Sequence, residues 1–226
     1  VTEHIADREA WLKARLNGIG GSEAAAVLNM SPHKSRAELW REKAGKATAP
    51  DISDKPYIKY GKAAEPLIRA QFMLNNADRY TLDYSEFDML HNDEYPFIFA
   101  TLDGILTDKN GKKGILEIKT TEIHRKSDWE EWTEPVTQED RIPQQYYLQV
   151  LHQLLATGFE FAVVCAQIKH KRHRDDEFCT CTTLCRYIER LEVEDDIQIL
   201  KKAEIEFWES VKSGKEPPLT LPKVGL

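Results

Sequence analysis

Ala100-Thr101-Leu102-Asp103-Gly104 and, a little further on, Ile115-Leu116-Glu117-Ile118-Lys119 are the two stretches on which the reading of this chain turns. Both are aliphatic runs interrupted by acids. Phe97 to Leu106 and Gly114 to Lys119 read as strands, joined by a turn at Asp108-Lys109-Asn110-Gly111. Residues two apart in a strand share a face, so Glu117 and Lys119 project together while Leu116 and Ile118 enter the core. If the two strands pair, Asp103 meets Glu117. Two carboxylates beside a lysine are what metal-assisted phosphodiester hydrolysis needs. Hard oxygen ligands, including the Ile118 carbonyl, hold Mg²⁺, and the ammonium positions a water and offsets developing negative charge. The bland alternative is a turn at Asp103-Gly104 beside a solvated strand face.

Working outward, Tyr80 to Leu90 reads as a further strand, so three neighbouring strands imply an antiparallel meander. Ahead of them, Ile5 to Leu16 is an amphipathic helix. The turn Gly18-Ile19-Gly20-Gly21 then leads into a helix at Glu23 to Leu28, with Ser22 or Gly21 as its N-cap. Ser35-Arg36-Ala37-Glu38 is a capping box opening a helix that stops at Gly45. Lys46 to Lys55 is a loop, and Tyr57 to about Asn75 a long helix in which Glu65 precedes Pro66.

Beyond the meander, Thr120 to Ile142 has no clean period and reads as a surface wrap or flap. Pro143 then opens a helix that runs to Gly158 and carries Gln144, Gln145, Gln149 and Gln153. Phe161 to Ile168 suits a strand buried on both faces, Phe178 to Glu189 another strand, and Asp195 to Ser213 a closing helix. The order implies an α/β (α+β) fold, one mixed β-sheet flanked by helices, read as a single domain over residues 1–226.

Composition bounds the function. The 226 residues carry 31 Lys+Arg against 38 Asp+Glu, a formal charge of −7, so a nucleic-acid partner would have to be met by a local basic patch. No apolar run reaches membrane-spanning length and the first residues are charged throughout, so a cytosolic protein with neither membrane span nor signal peptide is expected. Four cysteines in a chain this long read as reduced thiols rather than a disulfide framework.

The ordered set Gly61-x-x-x-Glu65, Asp103-Gly104, Glu117-x-Lys119 and Gln149 resembles the PD-(D/E)XK nuclease superfamily. Trp11-x-x-x-Arg15, followed by Ile19-Gly20-Gly21-Ser22-Glu23, narrows the resemblance to phage recombination exonucleases of the YqaJ type, similar to lambda exonuclease. The resemblance implies a restriction-endonuclease-like fold. Asp103 and Glu117 would be metal ligands, Lys119 the catalytic lysine, Glu65 a helix-borne acid near a second metal position, and Gln149 the motif glutamine. Arg15, Ser22 and Thr101 would form a pocket for a terminal 5′ phosphate, with His33 and Lys34 as further contacts. Chemistry supports that pocket independently, because Arg clamps phosphate bidentately and a helix N-terminus at Ser22 would offer N–H groups. Where the family has a second glutamine two residues after the first, this chain has Leu151, with His152 or Gln153 as substitutes.

The implied activity is a Mg²⁺-dependent 5′→3′ exonuclease, with Mn²⁺ as a substitute and two ions per site. It would act on linear double-stranded DNA and leave 3′ overhangs for annealing-type recombination. A ring-shaped homotrimer, a single-strand annealing protein as partner and a phage- or prophage-encoded origin in a bacterial cytoplasm are implied with it. The alternatives are an endonuclease of the same fold and a DNA-binding protein without catalysis. Cys165, Cys179, Cys181 and Cys185 with His170 and His173 lack the C-x₂-C turn of zinc sites and read as structural thiols. The run His170 to Arg174 reads as a DNA-backbone contact or a solvated hairpin, and Trp129 and Trp132 as base wedges or a loop's own core.

Overall fold

The computed structural model describes residues 1–134, 141–170 and 180–218. The elements in order are β1 (Thr2–Glu3), α1 (Arg8–Ala14), β2 (Ile19–Gly20), α2 (Ala24–Val27), α3 (Arg36–Lys43), α4 (Pro56–Asn76), β3 (Tyr80–Asp83), β4 (Met89–His91), β5 (Ile98–Ala100) and β6 (Gly104–Asp108). They continue with β7 (Lys113–Ile123), α5 (Lys126–Glu130), α6 (Gln144–Thr157), β8 (Phe161–His170), β9 (Thr180–Glu189) and α7 (Glu194–Lys212). The larger sheet has the order β3-β6-β7-β8-β9, antiparallel except for the parallel β7–β8 pair. The smaller has the order β1-β4-β5-β2, antiparallel except for β5–β2.

The mixed α/β class is as expected, but the single sheet is in fact two. Tyr80 to Leu90 is not one strand: β3 joins the large sheet and β4 the small one. Phe97 to Leu106 divides in the same way, β5 in the small sheet and β6 in the large. The segments on either side of each break are equally strand-like, so no local periodicity marks the transfer. Thr101-Leu102-Asp103 is the corner where the chain changes sheets.

The paired strands β7 and β8 are covered on both faces, as parallel pairs usually are. Ile115, Ala162 and Val164 face Leu148, Leu151, Leu154 and Leu155 of α6, with Ile197 and Leu200 of α7 in the same cluster. Leu116, Ile118, Val163 and Cys165 face Ala64, Ile68 and Phe72 of α4. The strand alternation that places Leu116 and Ile118 against α4 therefore aims Glu117 and Lys119 at α6, and the solvated-face alternative for them fails.

Local signals explain the helices. Ser35 and Glu38 cap α3 reciprocally. Pro56 sits in the first turn of α4, and Pro66 inside it removes the N–H that the Lys62 carbonyl would have accepted. Pro143 caps α6, and Gly158 ends it at φ 71°, a left-handed conformation that costs glycine little. The expected helix from Glu23 is shorter: Gly21–Glu23 is one 3₁₀ turn and α2 has four residues, all buried. Neither Ser22 nor Gly21 caps it; the Glu23 carboxylate accepts from the Gly20 N–H at 2.9 Å instead. So short a helix has little macrodipole to offer an anion. Among the described residues no helix is long and apolar enough to cross a membrane.

Candidate active site

Register brings the carboxylates together. Gly104 lies opposite Leu116 in the antiparallel β6–β7 pair, which carries Asp103 to the level of Glu117. Asp103 Oδ2 accepts from the Ile118 N–H at 2.7 Å, fastening the sheet-changing corner to β7. Glu117 is 3% exposed and accepts from three donors, two of them on α6. Its Oε1 accepts from Lys119 Nζ at 2.6 Å and from Gln149 Nε2 at 2.7 Å, and its Oε2 accepts from Gln153 Nε2. Lys119 Nζ also donates to Gln149 Oε1 at 2.9 Å. From the opposite face, Glu65 on α4 pairs with Arg69 one turn on. Arg69 Nε donates to the Asp103 carbonyl at 2.6 Å, and its guanidinium lies over the Tyr84 ring.

Burial first, and neighbouring charge second, shift the protonation of this site. Burial drives the Asp103 carboxyl well above the usual range; Glu117 and Glu65 add to this, and Lys119 with the Ile118 N–H only partly offsets it. Glu65 is raised as well, by burial first, with Arg69 opposing and Glu117 adding. Burial works against charge on Lys119, but Glu117 and Asp103 outweigh it, so its pKa is raised and the ammonium persists. Three carboxylates thus share two cations, Lys119 and Arg69. The residues fit a hard divalent cation: the donors are all oxygen, and the surplus negative charge is what such an ion offsets. Among the described residues no three His, Cys, Asp or Glu side chains lie together as a group that could hold a metal ion, so a cation here would have to draw on backbone carbonyl and water oxygens as well.

A second cluster adjoins the first. Arg15 Nη2 donates to Ser22 Oγ at 3.2 Å, and Arg15 stacks over the Trp11 ring, whose Nε1 donates to Thr101 Oγ1 at 3.0 Å. Arg15, Ser22 and Thr101, which the resemblance assigned to one pocket, are thereby brought together. Lys43 supports it from below, donating to the Arg15 carbonyl at 2.7 Å and pairing with Glu23 at 2.8 Å. Burial alone would raise the Glu23 pKa, yet Lys43 and Arg15 outweigh it and hold the carboxyl low. Gly21 presses this turn onto α6: a Cβ there would lie 3.2 Å from Gln149 Cγ and 3.3 Å from Gln153 Cγ. His33 and Lys34 are not brought into the group. Lys34 is paired with Glu42, and the His33 N–H donates to Ser31 Oγ.

Sequence reasoning missed Arg69 and Lys43 and left Gln153 and His152 as alternatives. Arg69 had a signal, its i,i+4 spacing from Glu65, as did Gln153 from Gln149. Gln153 reaches Glu117, whereas His152 points away from it. Its Nδ1 meets Glu204 at 2.7 Å, and its Nε2 donates to the Phe99 carbonyl at 2.8 Å. Lys43 carried none.

The other candidates resolve toward structure. Trp132 is 3% exposed in a cluster with Ile123, Ala166 and Ile168, so the segment after β7 has its own core. Trp129 packs beside it and meets the His170 ring. The Cys185 thiol donates to Cys165 Sγ at 3.2 Å across β8–β9. Cys179, His173 and the basic residues 171–174 lie outside the described residues.

A model of the YqaJ-like viral recombinase domain matches residues 10–160. The uncharacterised protein YqaJ of Bacillus subtilis (strain 168) is 30% identical over 221 residues, an alignment covering 94% of this chain and 59% of that protein. The chain therefore spans about three-fifths of that curated relative's length. Among solved structures, an alkaline exonuclease (LHK-Exo) from Laribacter hongkongensis is similar with a TM-score of 0.57 at 18% identity, over 92% of this chain and 95% of that one. LHK-Exo in complex with dAMP is similar with a TM-score of 0.52 at 20% identity, over 92% and 99% of the two chains. At such identities these two likenesses speak for the fold, which is that of the alkaline exonuclease.

Proposed function

The chain belongs to the YqaJ-like viral recombinase domain family, and on that footing we propose that it is a Mg²⁺-dependent exonuclease. It digests one strand of linear double-stranded DNA from the 5′ end and leaves a 3′ overhang for annealing-type recombination. The observation that carries this reading is the adjacency of two groups: Arg15, Ser22 and Thr101 lie against the helix face whose Gln149 and Gln153 hold Glu117. One group suits a terminal phosphate. The other suits hydrolysis of a phosphodiester.

Asp103, Glu117 and the Ile118 carbonyl would hold Mg²⁺ or Mn²⁺, with Glu65 at a second position. Bound there, two ions would supply Lewis-acid polarisation of the phosphate and an acidified water. The protein's own groups do the rest. Gln149 and Gln153 hold the Glu117 side chain in place, and Arg69 ties Glu65 to the Asp103 corner. The Lys119 ammonium, held between Glu117 and Gln149, orients the attacking water and offsets charge gathering on the phosphate oxygens. Arg15 and Ser22 seat the 5′ phosphate and so set which bond meets the carboxylates. LHK-Exo is described in complex with dAMP, the kind of deoxynucleoside monophosphate that stepwise cleavage releases.

The same reading includes a ring-shaped homotrimer in a bacterial cytoplasm, with a single-strand annealing protein as partner. An overall charge of −7 accords with a negative exterior around a locally positive channel. Linear duplex labelled separately at each end, with Mg²⁺ or EDTA and beside a closed circle, tests the activity. Metal-dependent loss of the 5′ label with the circle spared is expected. Cutting of the circle would make the protein an endonuclease, and no cleavage with Mg²⁺ or with Mn²⁺ in its place would leave a binding protein.

A further inference from the structure

Lys119 is anchored by two hydrogen bonds, to Glu117 and to Gln149, and a third group confines it. The Tyr146 ring lies with its centroid 4.8 Å from Nζ, within the range in which an ammonium is drawn to an aromatic quadrupole. Tyr146, Gln149 and Gln153 recur along α6 at i, i+3 and i+7, so one stripe of this helix supplies the hydrogen-bond and ring contacts given above for Glu117 and Lys119 beyond their mutual pair. Behind the ring stands Trp132, centroid to centroid 5.7 Å away and itself 3% exposed among Ile123, Ala166 and Ile168. The backbone pins Trp132 in turn: its N–H donates to the Trp129 carbonyl at 2.9 Å, and its carbonyl accepts from the Arg141 N–H at 2.7 Å.

We propose that Tyr146, backed by Trp132, is a positioning residue for Lys119, its ring holding the ammonium between Glu117 and Gln149 at the reacting phosphate. A lysine carries its charge on a flexible four-carbon stem with three rotatable donors, and two hydrogen bonds leave the stem free to swing. An aromatic face restricts that swing and attracts the cation; an aliphatic side chain of similar bulk would only fill space. The same contact ties the segment following β7, through Trp132, to the catalytic centre. The inference rests on the nuclease reading for its consequence, though not for the contact itself.

Tyr146→Phe and Tyr146→Leu separate the ring from the hydroxyl and from mere bulk. With Mg²⁺ and 5′-phosphorylated duplex, Tyr146→Leu is expected to lower kcat by about 2- to 30-fold, the span of such contacts from exposed to desolvated settings, with KM little changed. Tyr146→Phe restores kcat to within about twofold, because the quadrupole remains. A second readout needs no nuclease activity: acylation of Lys119 by acetic anhydride, followed by mass spectrometry and scaled to the exposed Lys126 of the same chain. Lys119 should react slowly in the wild type and Tyr146→Phe, and several-fold faster in Tyr146→Leu. Wild-type kcat and acylation in Tyr146→Leu, or equal impairment of both variants, would overturn the proposal. A wild type that cleaves no DNA would overturn the nuclease reading, and the acylation rates would then decide the contact alone.

Discussion

Glu204→Ala is expected to destabilise the protein by about 3–5 kcal/mol, the usual cost of removing one partner from a buried ion pair. Glu204 and His152 are both fully buried, α7 against α6, with His152 Nδ1 at 2.7 Å from Glu204 Oε1. Nε2 faces the Phe99 carbonyl at 2.8 Å, and since a carbonyl only accepts, that nitrogen carries a proton. Burial alone would strip the second proton, but the Glu204 carboxylate outweighs it and holds the histidine above its usual range. Glu204→Gln keeps the shape and exchanges a charge-assisted hydrogen bond for a neutral one, a loss of about 1–1.5 kcal/mol. With a urea slope of about 3 kcal/mol/M, the midpoints should fall by about 1–1.7 M for Ala and about 0.3–0.5 M for Gln. The sign with pH follows from the raised value. The contribution is fully present below the ordinary histidine pKa of about 6.5 and is lost as pH rises through the folded one. The gap between wild type and Glu204→Gln should therefore narrow on the alkaline side. Equal midpoint shifts for the two variants, or a gap independent of pH, would show that the pair is not an ion pair.

Lys119→Ala should abolish hydrolysis while far-UV circular dichroism and duplex binding stay near wild type; retained cleavage would exclude its assigned role. Proton and cation compete for the Asp103 carboxyl, which burial, Glu117 and Glu65 keep protonated more readily than usual. Mg²⁺ binding should thus weaken as pH falls and release protons, read as different calorimetric heats in two buffers of unlike ionisation enthalpy; identical heats would contradict this. Gly21→Ala would press a methyl against Gln149 and Gln153 at 3.2 and 3.3 Å. A loss of about 1 kcal/mol in stability and weaker selection for phosphorylated ends should follow. An unchanged melting temperature and unchanged selection would show that the turn does not bear on α6.

Local chemistry was legible and long-range chemistry was not. Ser35 with Glu38, and Pro143 with Gly158, mark helix ends because a cap is satisfied within a few residues of itself. The alternation around Glu117 likewise forecast which side chains share a face. The break at Thr101-Leu102-Asp103 was invisible, since changing sheets alters a strand's partners and leaves its own pattern intact. For the same reason spacing alone left His152 and Gln153 as alternatives, although only the fold buries Gln153 against Glu117. Lys43 gave no sign of the Arg15 carbonyl it holds from 28 residues away. Buried polar groups find partners through the fold, and sequence spacing records only those within a turn or a strand pair.

In the proposed function a terminal-phosphate pocket at Arg15, Ser22 and Thr101 directs a metal-dependent cleavage site at Asp103, Glu117 and Lys119. The most direct measurement is the ratio of digestion rates for 5′-phosphorylated over 5′-hydroxyl linear duplex with Mg²⁺, in wild type and in Arg15→Gln. The expected ratio is well above one in the wild type and falls toward one in the variant, with the phosphorylated substrate losing most. A wild-type ratio of one, or a ratio that Arg15→Gln leaves unchanged, would contradict the proposed function.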